Sequence, residues 1–138
     1  MDSRVIEQKL ESLRRCLRRV QEKCPDNALD LGRDADAQDI IALNLTRAVQ
    51  LCVDIGAHLI SSREVPAPDT MGATFDAIAL AALIPDELAQ RLKKAVGFRN
   101  IAVHNYEAIN WDIVFAICKD HLADFRDFAA AVSALLAE

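Results

Sequence analysis

"DIIALNLTRAVQLCVDIGAHLI", residues 39 to 60, decides the fold. Ile41, Leu45, Ala48, Cys52, Ile55 and Leu59 recur in it at alternating spacings of four and three, the apolar stripe of a helix packed in a bundle. The helical pattern runs from about Ala35 to Ser61. A second line on the same helix, Arg47, Gln50, Asp54 and His58, is polar at similar spacing. That line is either a solvated face with an internal Arg/Asp pairing or the wall of a polar cleft.

Working outward, Ile6, Leu10, Leu13, Leu17 and Val20 mark one face of a first helix from about residue 3 to residue 23, which Pro25 stops. "CPDNALDLGRDADA" then predicts a loop that supplies N-capping residues for the long helix. After the break at "SREVPAPDT", the run "FDAIALAALI" predicts a short, nearly buried helix from about Gly72 to Leu83. Pro85 is expected at the first position of the next helix, with Asp86 and Glu87 in the first turn, where the helix dipole favours acids. Asn110 is a good N-cap for a final helical region, 111 to about 137, with a kink expected near Lys119 to His121.

Five helices joined by loops make an all-α, up-and-down bundle the economical architecture, and 138 residues (1–138) form a single domain. Composition agrees: 52% of residues are hydrophobic, only 5% aromatic, and there are 4 Gly and 4 Pro. The formal net charge of −5 argues against a broad basic surface but says nothing of a local patch. The N-terminus opens into an amphipathic helix with no apolar signal core, and no uninterrupted apolar run approaches the ~18 residues of a membrane span, so a soluble cytoplasmic protein with no membrane partner is expected. Cys16, Cys24, Cys52 and Cys118 include no C-x-x-C pair, indicate neither a zinc site nor a disulfide framework, and are assigned no function. A glycine-rich phosphate loop and a recognisable nucleophile turn are both missing from the sequence, so most familiar enzyme classes lack support.

The exception to the apolar pattern is "GFRNIAVHNY", residues 97 to 106. If it stays helical throughout, Asn100 and His104 stack at i,i+4, and Arg99 and Tyr106 align at i,i+7 on the adjacent strip. Arg99 and His104 then lie about 140° apart around the axis, too far to hold one small group unless the arginine reaches round or the helix ends. A dimer offers another solution, because a two-fold axis beside this face brings two arginines and two histidines into one cleft.

These residue types suit phosphodiester chemistry in RNA. An imidazole can accept a proton from a ribose 2′-OH or give one to a leaving oxygen, guanidinium matches phosphate oxygens, and Asn100 could hold the imidazole tautomer. Such chemistry needs no metal, and no cofactor is indicated. Between Leu88 and Tyr106 there is no acid, whereas Arg91, Lys93, Lys94 and Arg99 all fall there, so Arg91, Lys93 and Lys94 are candidate RNA-binding residues. A second basic cluster, Arg14, Arg15, Arg18 and Arg19, is either a phosphate or acidic-partner contact or a solvated face paired with Glu11 and Glu22. On composition and geometry alone, Arg99, Asn100 and His104 remain open between structural hydrogen-bonders and a site.

"VGFRNIAVHNY" resembles the R-x-x-x-x-H-x-Y signature of HepT-like toxins in the HEPN superfamily, with Arg99, His104 and Tyr106 on the signature positions and Asn100 after the arginine. "DIIALNLTRAVQLCVDIGAHLI", "IPDELAQRLKKAVGFRNIAVHNY" and "FRDFAAAV" follow the family's order, so the resemblance covers about residues 35 to 130. It implies an all-helical homodimer and a metal-independent endoribonuclease with its cleft at the dimer interface. Arg99 and His104 would be catalytic and Asn100 supporting. A MntA-type minimal nucleotidyltransferase antitoxin would neutralise the toxin by transferring AMP from ATP to Tyr106. The competing expectation is a non-catalytic helical dimer that binds a nucleotidyltransferase or a nucleotide.

Overall fold

The computed structural model describes residues 2–138, and no strand occurs among them. Helix α1 spans Ser3–Lys23, with the Asp2 carboxylate accepting from the Arg4 and Val5 amides at its start. Helix α3 spans Ala35–Ile60 and is capped by Asp34. These two lie along one another and form the largest packing interface, Ile6, Leu10, Leu13, Leu17 and Val20 of α1 meeting the α3 stripe. Every stripe residue from Ile41 to Leu59 is buried. Helix α3 is apolar enough in composition to resemble a membrane span, with a mean hydropathy of 1.4 over its best window, but half of that window is buried inside the bundle.

The remaining helices close the core around this pair. Helix α4 (Met71–Leu80) packs on α3 and α5 (Asp86–His104), and α7 (Leu122–Leu136) packs on α5, α1 and α3. Phe75 of α4 and Phe128 of α7 meet edge to face, with ring centroids 6.2 Å apart.

Three local expectations need correction. The segment expected as a loop after Pro25 contains a short helix, α2 (Ala28–Leu31), because Asn27 caps it and Leu31 is driven into the core. Helix α4 stops at Leu80 rather than Leu83, and Leu80 is 74% exposed rather than buried. Pro85 is the residue before the first turn of α5, with extended backbone, rather than the first helical residue. The final region is three pieces: α6 (Trp111–Ala116), a π-helical turn (Ile117–His121) and α7. That turn falls on the expected kink, and its extra residue lets Val114, Cys118, Leu122 and Phe125 all reach the core.

Two backbone positions carry measurable strain or closeness. Helix α4 ends in a Schellman arrangement, the Leu83 amide donating to the Ile78 carbonyl at 2.9 Å, but the left-handed position is occupied by Ala82 at φ 61° rather than by glycine. Gly56 of α3 faces α4, and a Cβ there would stand 2.7 Å from the Thr74 Cγ2 atom, so glycine sets the spacing of the two helices. Ala82→Gly is therefore expected to stabilise by up to about 1 kcal/mol, and Gly56→Ala to destabilise by roughly 1–3 kcal/mol. Thermal and urea unfolding of the two variants check both signs.

Candidate active site

The motif sits where α5 ends. His104 is the last helical residue, and Asn105 leaves the helix at φ −152° and ψ 66° while its amide still donates to the Ile101 carbonyl at 2.9 Å. A 3-10 turn, Tyr106–Ala108, follows, closed by the Ile109 amide on the Tyr106 carbonyl at 3.1 Å. Burial of Ile109 and capping of α6 by Asn110 pull the chain out of the helix direction at this point.

Arg99, Asn100 and His104 therefore keep helical relations, and Tyr106 does not. Asn100 stands one turn below His104, and Arg99 is about 140° round the axis from it. The expected alignment of Arg99 with Tyr106 is not realised, because the helix ends two residues too early for it. Asn100 does not hold the imidazole either: its Oδ1 accepts from Arg99 Nη1 at 3.2 Å. His104 is exposed and makes no hydrogen bond among the described residues. Arg99 is half-buried, and its Nε atom is buried with no acceptor among the described residues. Nε is shielded from solvent, so a planar anion from outside would meet the exposed part of this half-buried guanidinium instead.

Tyr106 turns to α3. Its hydroxyl donates to Asp39 Oδ1 at 2.5 Å, and its ring meets Trp111 of α6 edge to face with centroids 5.9 Å apart. The residue is still 36% exposed. Desolvation pushes the phenol well above its ordinary range, with the Asp39 hydrogen bond and the charges of Asp39 and Glu107 adding to it. Asp39 was not singled out from the sequence, since it is 67 positions from Tyr106 and no periodicity links them.

The basic window is less free than the sequence suggests. Arg91 is ion-paired with Glu87 at 2.7 Å, Asp124 at 3.0 Å and Asp127 at 3.6 Å, and Lys93 with Asp76 at 3.0 Å. Asp124 and Asp127 come from α7 and Asp76 from α4, so the acids missing from the window arrive through the fold. Lys94 is exposed with no carboxylate partner among the described residues. Beside it a cavity of about 520 Å³ runs between α5 and α6, lined by Phe98, Ile101, Ile109 and Ile113; Ile101 is 45% and Ile113 58% exposed.

On the other side of the bundle the polar line of α3 meets the α1 arginines in a groove of about 620 Å³. Asp54 pairs with Gln50 at 2.9 Å and Lys9 at 3.7 Å rather than with Arg47. Arg14 and Arg18 share Glu11, and Arg19 is bound to Glu22, leaving Arg15 and Arg47 as the groove's cations without a carboxylate partner among the described residues.

An antiparallel helical bundle whose fifth helix ends on an R-x-x-x-x-H pair, with a tyrosine exposed two residues later, is the arrangement of a HEPN-type protein. The chain belongs to the HepT-like family: the family described as "Ribonuclease HepT-like" matches residues 6–132. It is 35% identical over 130 residues to the mRNA nuclease HepT of Shewanella oneidensis, covering 94% of this chain and 97% of that protein. Its fold superposes with a TM-score of 0.89 on the tri-AMPylated Shewanella oneidensis HEPN toxin in complex with MNT antitoxin, at 35% identity, covering 97% of this chain and 99% of that one. The YutE protein of Bacillus subtilis shares the fold alone, with a TM-score of 0.84 at 15% identity over 99% of this chain and 91% of that one.

Tyr106 is the single tyrosine of the chain, so its ionisation can be read without mutagenesis. At about pH 11, a unit above the ordinary phenol value, the folded protein should show little tyrosinate absorbance. Asp39→Asn should lower the titration midpoint toward the ordinary value, and an unchanged midpoint would mean that the hydrogen bond does not form in solution.

Proposed function

We propose that the protein is a metal-independent endoribonuclease toxin, a single-domain homodimer acting in the cytoplasm, neutralised when a MntA-type minimal nucleotidyltransferase transfers AMP from ATP to Tyr106. Family membership and the likeness to an mRNA nuclease support the activity, and the tri-AMPylated toxin bound to MNT antitoxin supports the partner and the modification. The observation that carries the reading on this chain is the pair formed by the half-buried Arg99, steadied at Nη1 by Asn100, and the exposed His104, which has no hydrogen-bond partner among the described residues.

His104 would take the proton of a ribose 2′-OH as the 2′-oxygen attacks the adjacent phosphorus, or deliver one to the departing 5′-oxygen. Arg99 would hold the phosphate oxygens as charge builds on them, with Asn100 fixing its Nη1 end. The two side chains diverge by about 140° on one helix, so a second copy best completes the site. The apolar strip of Phe98, Ile101 and Ile113 beside the motif is the surface such a copy would cover. Lys94 is the cation of the motif's neighbourhood best placed to meet RNA phosphate, whereas Arg91 and Lys93 are engaged by carboxylates. AMP on Tyr106 would add an anion and a base two residues from His104, opposing RNA by charge and by bulk.

Arg99→Ala and His104→Ala should each lower RNA cleavage by about 100-fold or more, with little change in melting temperature. Cleavage should survive EDTA. Tyr106→Phe should keep part of the nuclease activity and escape neutralisation by the transferase with ATP and Mg²⁺. Light scattering should give a dimer at micromolar concentration, and Ile101→Glu should shift it toward monomer while reducing cleavage. A protein that binds the transferase but cuts no RNA would favour the non-catalytic dimer.

A further inference from the structure

Tyr106 has only one hydroxyl proton, and the fold commits it. The Oη–Oδ1 distance of 2.5 Å to Asp39 is in the range of a charge-assisted O–H···O⁻ bond. Trp111 against the ring and the capped end of α5 fix the position of the phenol from two further sides. Because the proton points to Asp39, the oxygen lone pairs are turned away from it, and both residues remain exposed. From these contacts we infer that Asp39 is a catalytic residue for the modification of its own chain: it orients the Tyr106 hydroxyl and accepts its proton when the oxygen attacks the α-phosphorus of a nucleoside triphosphate. The inference rests on Tyr106 being the AMP acceptor.

A bond forms between Tyr106 Oη and the α-phosphorus of magnesium-bound ATP presented by the transferase. The bond from that phosphorus to the bridging oxygen of the β-phosphate breaks, and pyrophosphate leaves with the electron pair. The phenolic proton passes to Asp39 Oδ1 and from there to water. A proton acceptor is needed because burial and the fields of Asp39 and Glu107 hold the phenol protonated well beyond neutral pH, so very little phenolate is available to attack. Once the ester has formed, its oxygen has no proton to give and its phosphodiester repels the Asp39 carboxylate, so the adduct parts from α3. Asp39 therefore favours the unmodified tyrosine as substrate and does not retain the product.

The test compares wild type, Asp39→Asn and Asp39→Glu in the full-length protein incubated with a MntA-type transferase and ATP–Mg²⁺, reading AMP addition to the Tyr106 peptide by mass spectrometry. Asp39→Asn should slow addition by about 100-fold at neutral pH at saturating toxin, in kcat rather than KM. Its rate should climb by about one log unit per pH unit in mildly alkaline buffer, while the wild-type rate is nearly flat there. Asp39→Glu should restore part of the rate. Modification of Asp39→Asn at the wild-type rate with the wild-type pH profile overturns the role while leaving Tyr106 as the acceptor. A slow Asp39→Asn with an unchanged pH profile and a lowered melting temperature assigns Asp39 as a structural tether instead. No AMP on wild-type Tyr106 overturns the acceptor reading, and this role with it.

Discussion

Burial of one face of α3 is the constraint on which the rest of the structure depends. Its stripe from Ile41 to Leu59 is buried against α1 and, over the remainder, α4, α5 and α7, so the packing of these four helices depends on it. At roughly 1.5–3 kcal/mol for each large apolar side chain removed from water, this stripe is the main source of cohesion in a bundle with few aromatic residues. The same helix leaves its other faces to polar contacts. Asp39 emerges near its N-terminal end beside Tyr106, and Arg47 opposite the arginines of α1. Core packing and polar contacts share α3 because 3.6 residues per turn let one helix serve two directions.

The end of α5 is the second decisive point. Had the helix continued, Tyr106 would have stood in line with Arg99, and the phenol would have belonged to the arginine side of the motif. Because it stops at His104, the tyrosine swings to α3 and acquires a carboxylate partner and an aromatic neighbour that the helix could not offer. Arg99 and His104 on one side and Tyr106 on the other are thus neighbours in sequence with separate anchors: Arg99 is steadied by Asn100, Tyr106 by Asp39 and Trp111. Under the proposed modification, an adduct on the tyrosine would leave its anchor without disturbing the helix that carries the arginine.

Charge shows how far a one-dimensional reading extends. The window from Leu88 to Tyr106 has no acid, and the sequence rightly makes it locally basic. The tertiary structure brings Asp124, Asp127 and Asp76 against Arg91 and Lys93 from two other helices, which shortens the list of cations free for phosphate. The opposite occurs on α3, where Arg47, expected to pair along its own helix, is left open because Asp54 is taken by Gln50 and Lys9.

The sequence by itself determined the helices, their faces and the identity of the R-x-x-x-x-H-x-Y residues. These are local properties: apolar spacing fixes which side of α1 and α3 is buried, Pro25 stops α1, and Asp34 and Asn110 cap the helices that follow them. Helix ends were less legible, since the stop at Leu80 depends on a left-handed Ala82 where glycine would have been the signal, and α2 depends on Leu31 finding the core. Only the tertiary structure decided which charges remain free and that Asp39 holds the Tyr106 hydroxyl. Those are contacts between residues 17 to 67 positions apart, formed when side chains from different parts of the fold converge, and no periodicity along the chain encodes them.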